Sequence, residues 1–168
     1  MTASGELLPT QASESSLVAG EETKQFVTMN VDGQLFGIPV LTVQDILRPQ
    51  KITSIPLSPP EILGSINLRG RIVTVINMRA RLHLPEHENV DECMQVVVDH
   101  KDDQYSLVVD SVGEVLTLPL ADFETSPPNM ESNWLEVSLG IYRLKTNLMV
   151  VLDIENLLRF VKEEKGEE

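Results

Sequence analysis

The chain has 168 residues, 42% hydrophobic and only 4% aromatic, with 26 acidic side chains against 13 basic and a formal net charge of -13. That length suits one ordinary domain or two small modules sharing cores, and a core so poor in aromatics must rest on Val, Ile and Leu, which favours sheet over helix bundle. A surface this negative repels phosphate backbones and anionic lipid, which argues against nucleic-acid and peripheral membrane binding.

The single cysteine, Cys93, allows neither an internal disulfide nor a cysteine metal cluster and fits a reducing cytosol. Residues 1–22 hold no Lys or Arg and no long apolar run, so they do not read as a signal peptide. No window approaches the roughly 18 consecutive apolar residues that a spanning helix needs. A soluble, cytoplasmic protein is expected.

In chain order, residues 1–23 are Ser, Thr, Ala and Glu with little to bury, and read as a disordered tail. Gln25 to Val31 alternates partially, and Asp32-Gly33 supplies a hairpin turn. Leu35 to Val40 returns as a strand, with Pro39 marking an edge or an end. Val43 to Leu47 is a further strand, or a helical turn leading into one. Ile52 to Pro60 carries three prolines and must be extended loop, with Glu61 to Leu63 a short helical turn after it.

Gly64 to Met78 is the most informative stretch. Ile66 and Leu68 alternate with polar neighbours, Arg69-Gly70-Arg71 makes a tight turn, and Ile72 to Ile76 is a β-branched, more deeply buried strand. Arg79 to Leu82 forms another short turn. His83 and His87 stand four apart, but Pro85 between them forbids the helix that would turn both imidazoles to one zinc ion. Neither metal nor cofactor is expected.

After a linker over 85–92, Met94 to Asp99, Tyr105 to Val109 and Val112 to Leu116 read as strands, the first two joined by a turn at Lys101-Asp102-Asp103. Pro119 to about Asn133 is loop. Trp134, the only tryptophan, sits beside it, placed to anchor a contact or to cover a core. Ile141 to Leu144 and Leu148 to Leu152 form a last hairpin. Asp153 caps a helix from Ile154 to Phe160, whose Ile154, Leu157, Leu158 and Val161 spacing is helical, and 161–168 is a charged tail.

These segments repeat. At an offset of 69, Phe36-Gly37-Ile38-Pro39-Val40 falls on Tyr105-Ser106-Leu107-Val108-Val109, and Val43, Asp45, Ile46 and Leu47 fall on Val112, Glu114, Val115 and Leu116. At an offset of 76, Gly64, Leu68, Arg69, Val73, Val75 and Asn77 meet Gly140, Leu144, Lys145, Met149, Val151 and Asp153. One insertion of seven residues in the 119–133 loop separates the two offsets. Matched glycines and charges in a fixed order predict two similar modules. The fold expected is mainly β: two five-stranded barrels packed together, the first over about 24–84 and the second over about 93–160, with strand exchange between them open.

The stretches FGIPVLTVQDIL, ITSIPLSPPEILG, INLRGRIVTVINM, LVVDSVGEVLTL and LMVVLDIENLL resemble the CheW family, the adaptor proteins of bacterial chemotaxis, over about residues 24–160. Asp45 stands where that family usually has Glu, Thr74 where it often has Pro, and Asn77 where Asp is usual. The resemblance implies two SH3-like β-barrels, no catalysis, and a scaffold, monomeric when isolated, that joins the cytoplasmic tip of a chemoreceptor to the regulatory domain of a CheA-type histidine kinase. It implies receptor contacts at Val43, Gly64, Asn67 and Arg69, and kinase contacts at Gln44 and Asp45. Gly64 would allow close backbone approach, Val43 would supply apolar contact and Arg69 would pair with carboxylates. The same module serves flagellar and non-flagellar pathways, so pilus motility or gene control stays open as the output. The enzyme alternative finds no G-x-S-x-G elbow, P-loop, GxGxxG or zinc pattern to support it.

Overall fold

The computed structural model describes residues 22–125, 129–130 and 132–164. Most of the tail expected over 1–23 lies outside these residues, but Thr23 already belongs to a strand and pairs with Pro119. Among the described residues, ten strands and four short α-helices follow. The strands are β1 (Thr23–Val31), β2 (Gln34–Pro39), β3 (Val43–Leu47), β4 (Ile62–Leu68), β5 (Arg71–Asn77), β6 (Met94–His100), β7 (Asp103–Val109), β8 (Ser111–Pro119), β9 (Ser138–Arg143) and β10 (Leu148–Leu152). The helices are α1 (Met78–Arg81), α2 (Ser132–Glu136), α3 (Ile154–Leu157) and α4 (Arg159–Glu164).

The strands form two five-stranded sheets, the first in the order β8-β1-β2-β10-β9 and the second in the order β3-β6-β7-β5-β4. Each sheet therefore draws strands from both halves of the chain, and the division into 24–84 and 93–160 does not separate them. The reason lies after each hairpin. Pro39, whose nitrogen cannot donate to a ladder, ends β2. The 3₁₀ turn Val40–Thr42 then carries β3 across to pair with β6. In return, β8 leaves β7 at Asp110 and pairs with β1.

The repeat maps one sheet onto the other, strand for strand and pair for pair. Val150 faces Phe36 in the parallel pair β10–β2, and Thr74 faces Tyr105 in the parallel pair β5–β7. Gly64 faces Val75 as Gly140 faces Val151, and Val43 faces Val98 as Val112 faces Met29. Each sheet also curls until its far edges approach: Thr53, beyond β3, bridges to Ser65 of β4, and Glu124, beyond β8, bridges to Ile141 of β9. Two SH3-like units result.

Three cores follow from this symmetry. Ile66, Val73 and Val75 fill the second unit, where their repeat mates Tyr142, Met149 and Val151 fill the first. The largest cluster joins the units: Met29, Phe36 and Ile38 pack with Val98, Tyr105 and Leu107. Fully burying such side chains contributes roughly 1.5–3 kcal/mol each, so neither unit would keep its stability alone. Size compensates across the repeat. A Cβ on Gly37 would meet the Met149 sulfur, whereas the other unit has Ser106 in place of Gly37 and the shorter Val73 in place of Met149.

Several local expectations are corrected. Ile62 and Leu63 open strand β4 rather than a helical turn, because Ile62 pairs with Ile76 and the Asn77 N–H donates to the Glu61 carbonyl. The 119–133 loop leads into α2, which the sequence reading missed. The C-terminal helix is broken at Leu158: Arg81 donates to the Leu157 and Asn156 carbonyls, acceptors that a continuous helix would have used itself. The segment after it stays helical to Glu164, where a tail was expected, with Val161 buried in the shared core.

Candidate functional site

The turn between β4 and β5 is built by Asn67-Leu68-Arg69-Gly70. Arg69 and Gly70 both have positive φ, 52° and 85°, the two-residue geometry that matches hairpin twist. The Asn67 side-chain oxygen accepts from the Gly70 N–H at 3.0 Å, so Asn67 fixes the turn that carries Arg69. Asn30 does the same for Gly33 in the β1–β2 turn.

Across the curled edge stands β3. Its register slips between Val43 and Asp45, leaving Gln44 as an exposed bulge residue. Asp45 then meets Arg69: Asp45 Oδ2 lies 2.5 Å from Arg69 Nη2. The Arg69 hydrogen bond, helped by the Ile46 N–H, holds the Asp45 carboxyl below the usual carboxylate range against the opposing effect of burial. The Arg69 side chain is 73% exposed, so the pair stabilises the fold by only about 0.5 kcal/mol. A contact this weak is readily exchanged for a carboxylate on another molecule.

Thus Arg69 and Asp45, which the resemblance implies serve two different partners, form one pair. Val43 is half-buried against the shared core. Gly64 departs from expectation: it is buried, with φ at 152°, and a Cβ there would overlap the Thr53 carbonyl. The close backbone approach at Gly64 is made by the chain itself, through the Thr53–Ser65 bridge.

The family model described as CheW-like domain matches residues 25–162. The chain belongs to the CheW family. It is 31% identical over 136 residues to the chemotaxis protein CheW of Bacillus subtilis, covering 80% of this chain and 86% of that one. It is 29% identical over 145 residues to the chemotaxis protein CheW of Treponema pallidum, covering 84% and 85%. The crystal structure of the scaffolding protein TtCheW from Thermoanaerobacter tengcongensis superposes with a TM-score of 0.70 at 25% identity, covering 78% of this chain and 89% of that one.

This CheW-family chain also holds a charged cluster that sequence reading missed. Asp110 Oδ2 accepts from Arg79 Nη2 at 2.7 Å and from the Asp32 N–H at 2.8 Å. His87 Nε2 lies 2.6 Å from Asp110 Oδ1, at charge-contact distance but without hydrogen-bond geometry. Arg79 also donates to the Pro85 carbonyl, so the cluster ties down the start of the 85–92 linker. Burial pushes the Asp110 carboxyl up, but the Arg79 and Asp32 hydrogen bonds outweigh it and hold it below the usual range. At its edge Arg79 also pairs with Asp32 at 3.8 Å, and their repeat mates Glu155 and Lys101 pair at 3.8 Å with the charges exchanged.

The chemistry of a nucleophile is missing at Cys93, whose thiol is pushed up by burial and so stays protonated. Among the described residues no group of three or more His, Cys, Asp or Glu side chains could hold a metal ion. No helix among them is long and apolar enough to cross a membrane.

Proposed function

We propose that the chain is a chemotaxis adaptor, without enzymatic activity of its own, that couples the cytoplasmic tip of a chemoreceptor to a CheA-type histidine kinase and supports kinase regulation in receptor arrays. The observation that carries this reading is the family match across residues 25–162, nearly the whole described fold, to relatives named as chemotaxis proteins. The exposed Arg69–Asp45 pair supports it physically. It is mounted on a rigid hairpin, contributes little to folding, and offers a planar cation to carboxylates. Val43, Gln44 and Asn67 border the same edge, and Gly64 braces it from beneath. On this reading the protein acts in the cytoplasm as a monomer held at receptor arrays.

The test is co-sedimentation with a cognate receptor cytoplasmic fragment and its kinase. A ternary complex is expected, and Arg69→Ala is expected to weaken receptor capture while leaving the melting temperature nearly unchanged. No binding to any cognate receptor or kinase would refute the adaptor role.

A further inference from the structure

The repeat leaves the chain a second way to pair its strands. The turns around Val40–Thr42 and Asp110 send β3 and β8 across, but they do not choose which hairpin, β4–β5 or β9–β10, closes each unit. The two hairpins match through the repeat, and trading them would conserve the strand directions in both sheets. Charge does not choose either. Arg69 and Asp45 have Lys145 and Glu114 as mates, so a traded hairpin would still set a cation opposite a carboxylate.

Side-chain size does choose. At the parallel seam β2–β10, Gly37 faces Val151, and a Cβ on Gly37 would lie 2.6 Å from the Met149 sulfur. At the parallel seam β5–β7, Ser106 faces Val75, and Val73 stands where the other seam has Met149. Ser106 is fully buried, and its hydroxyl donates to Gln95 Oε1 at 2.6 Å. In the traded arrangement Ser106 would run into the Met149 thioether, and Gly37 would stand opposite Val73 across a void. An interior packed as densely as a crystal tolerates neither.

The aromatic residues agree. Tyr142 of β9 meets two rings of the first unit, Phe26 of β1 with 5.4 Å between centroids and Phe123 beyond β8 with 5.5 Å. The second unit has Gln95 where the first has Phe26, and Ile52 precedes the bridging Thr53 where Phe123 precedes the bridging Glu124. Trading the hairpins would strip Tyr142 of both rings. It would also bring the Tyr142 hydroxyl and Gln95 Nε2, each buried without a hydrogen-bond partner, into one core. That one hydrogen bond stands against an overlap, a void and two lost ring contacts.

We infer that these sizes select the interleaved fold: β2 accepts β10 and rejects β5, while β7 accepts β5 and rejects β10. Strand propensities and hairpin turns are the same in both arrangements, so the two seams supply the energy gap between them. The consequence reaches the edge of the second unit. The hairpin of β4 and β5 brings Arg69 to Asp45 of β3 only when β5 pairs with β7.

The test uses the full chain, refolded from urea, with proton–proton contacts across the seams read by NMR. The wild type is expected to join position 37 to 151 and position 106 to 75, and to show no other seam. Gly37→Ser combined with Ser106→Gly mismatches both seams. It is expected to lower the melting temperature by about 5–10 °C and to join position 37 to 75 and position 106 to 151. Adding Val73→Met and Met149→Val restores both fits, and is expected to recover most of that loss together with the wild-type contacts. A doubly substituted chain that refolds with only the wild-type contacts overturns the inference, whatever its melting temperature. If that chain fails to refold, the fourfold variant decides: wild-type contacts in it uphold the inference, and their absence overturns it.

Discussion

Asp110 is held by donors from two distant parts of the chain, and a carboxylate held this way ties fold stability to pH. Its folded pKa lies below the ordinary value of 3.8. Its contribution is therefore complete above that value and is lost as pH falls through the lower, folded one. Asp110→Asn is expected to cost about 1–2 kcal/mol at neutral pH in denaturant unfolding. The gap to wild type should narrow as pH drops below about 4, where the wild-type carboxyl is itself protonated. A gap that stays constant down to the acid limit would show that shape, not charge, makes this node. Little of it was legible beforehand, because Arg79, His87 and Asp110 are not linked by any helical or strand spacing. The same holds for Arg69 and Asp45, which sequence reading assigned to separate partners.

Strands and turns were far more legible than side-chain meetings. The β-branched runs, the Asp32-Gly33 and Arg69-Gly70 turns and the Asp153 cap all follow from short-range chemistry, and the structure has them. Helix α2 was hidden because its five residues carry no amphipathic period, and its anchor, Trp134, is held by Phe36 and Leu82 from elsewhere in the chain. Gly64 illustrates the opposite difficulty. Its importance was visible, but its cause was not, since Thr53 reaches it only after the sheet curls. Gly64→Ala combines a strained φ with overlap on the Thr53 backbone, so a loss of about 2–4 kcal/mol is expected in thermal or urea unfolding. Gly140→Ala, at the repeat-equivalent site against Glu124 and Phe123, should lose a comparable amount. A neutral Gly64→Ala would mean that the edge bridge is loose, and with it the mount for Arg69.

For the whole molecule, the repeat carried the architecture but not the division. Two copies of one strand order say that two alike units exist; they do not say which hairpin each third strand joins. That choice is made at the turns around Val40–Thr42 and Asp110, and it locks each unit to the other's chain. The outcome is two like units joined through one large shared core. The adaptor proposed for this chain would change another protein's chemistry while performing none. The most direct measurement is therefore autophosphorylation of the cognate kinase in the presence of receptor fragments, with and without this chain. The account predicts that kinase activity responds to the receptor only when the chain is present and that Arg69→Ala blunts the response. Equal receptor control with the chain left out would contradict it.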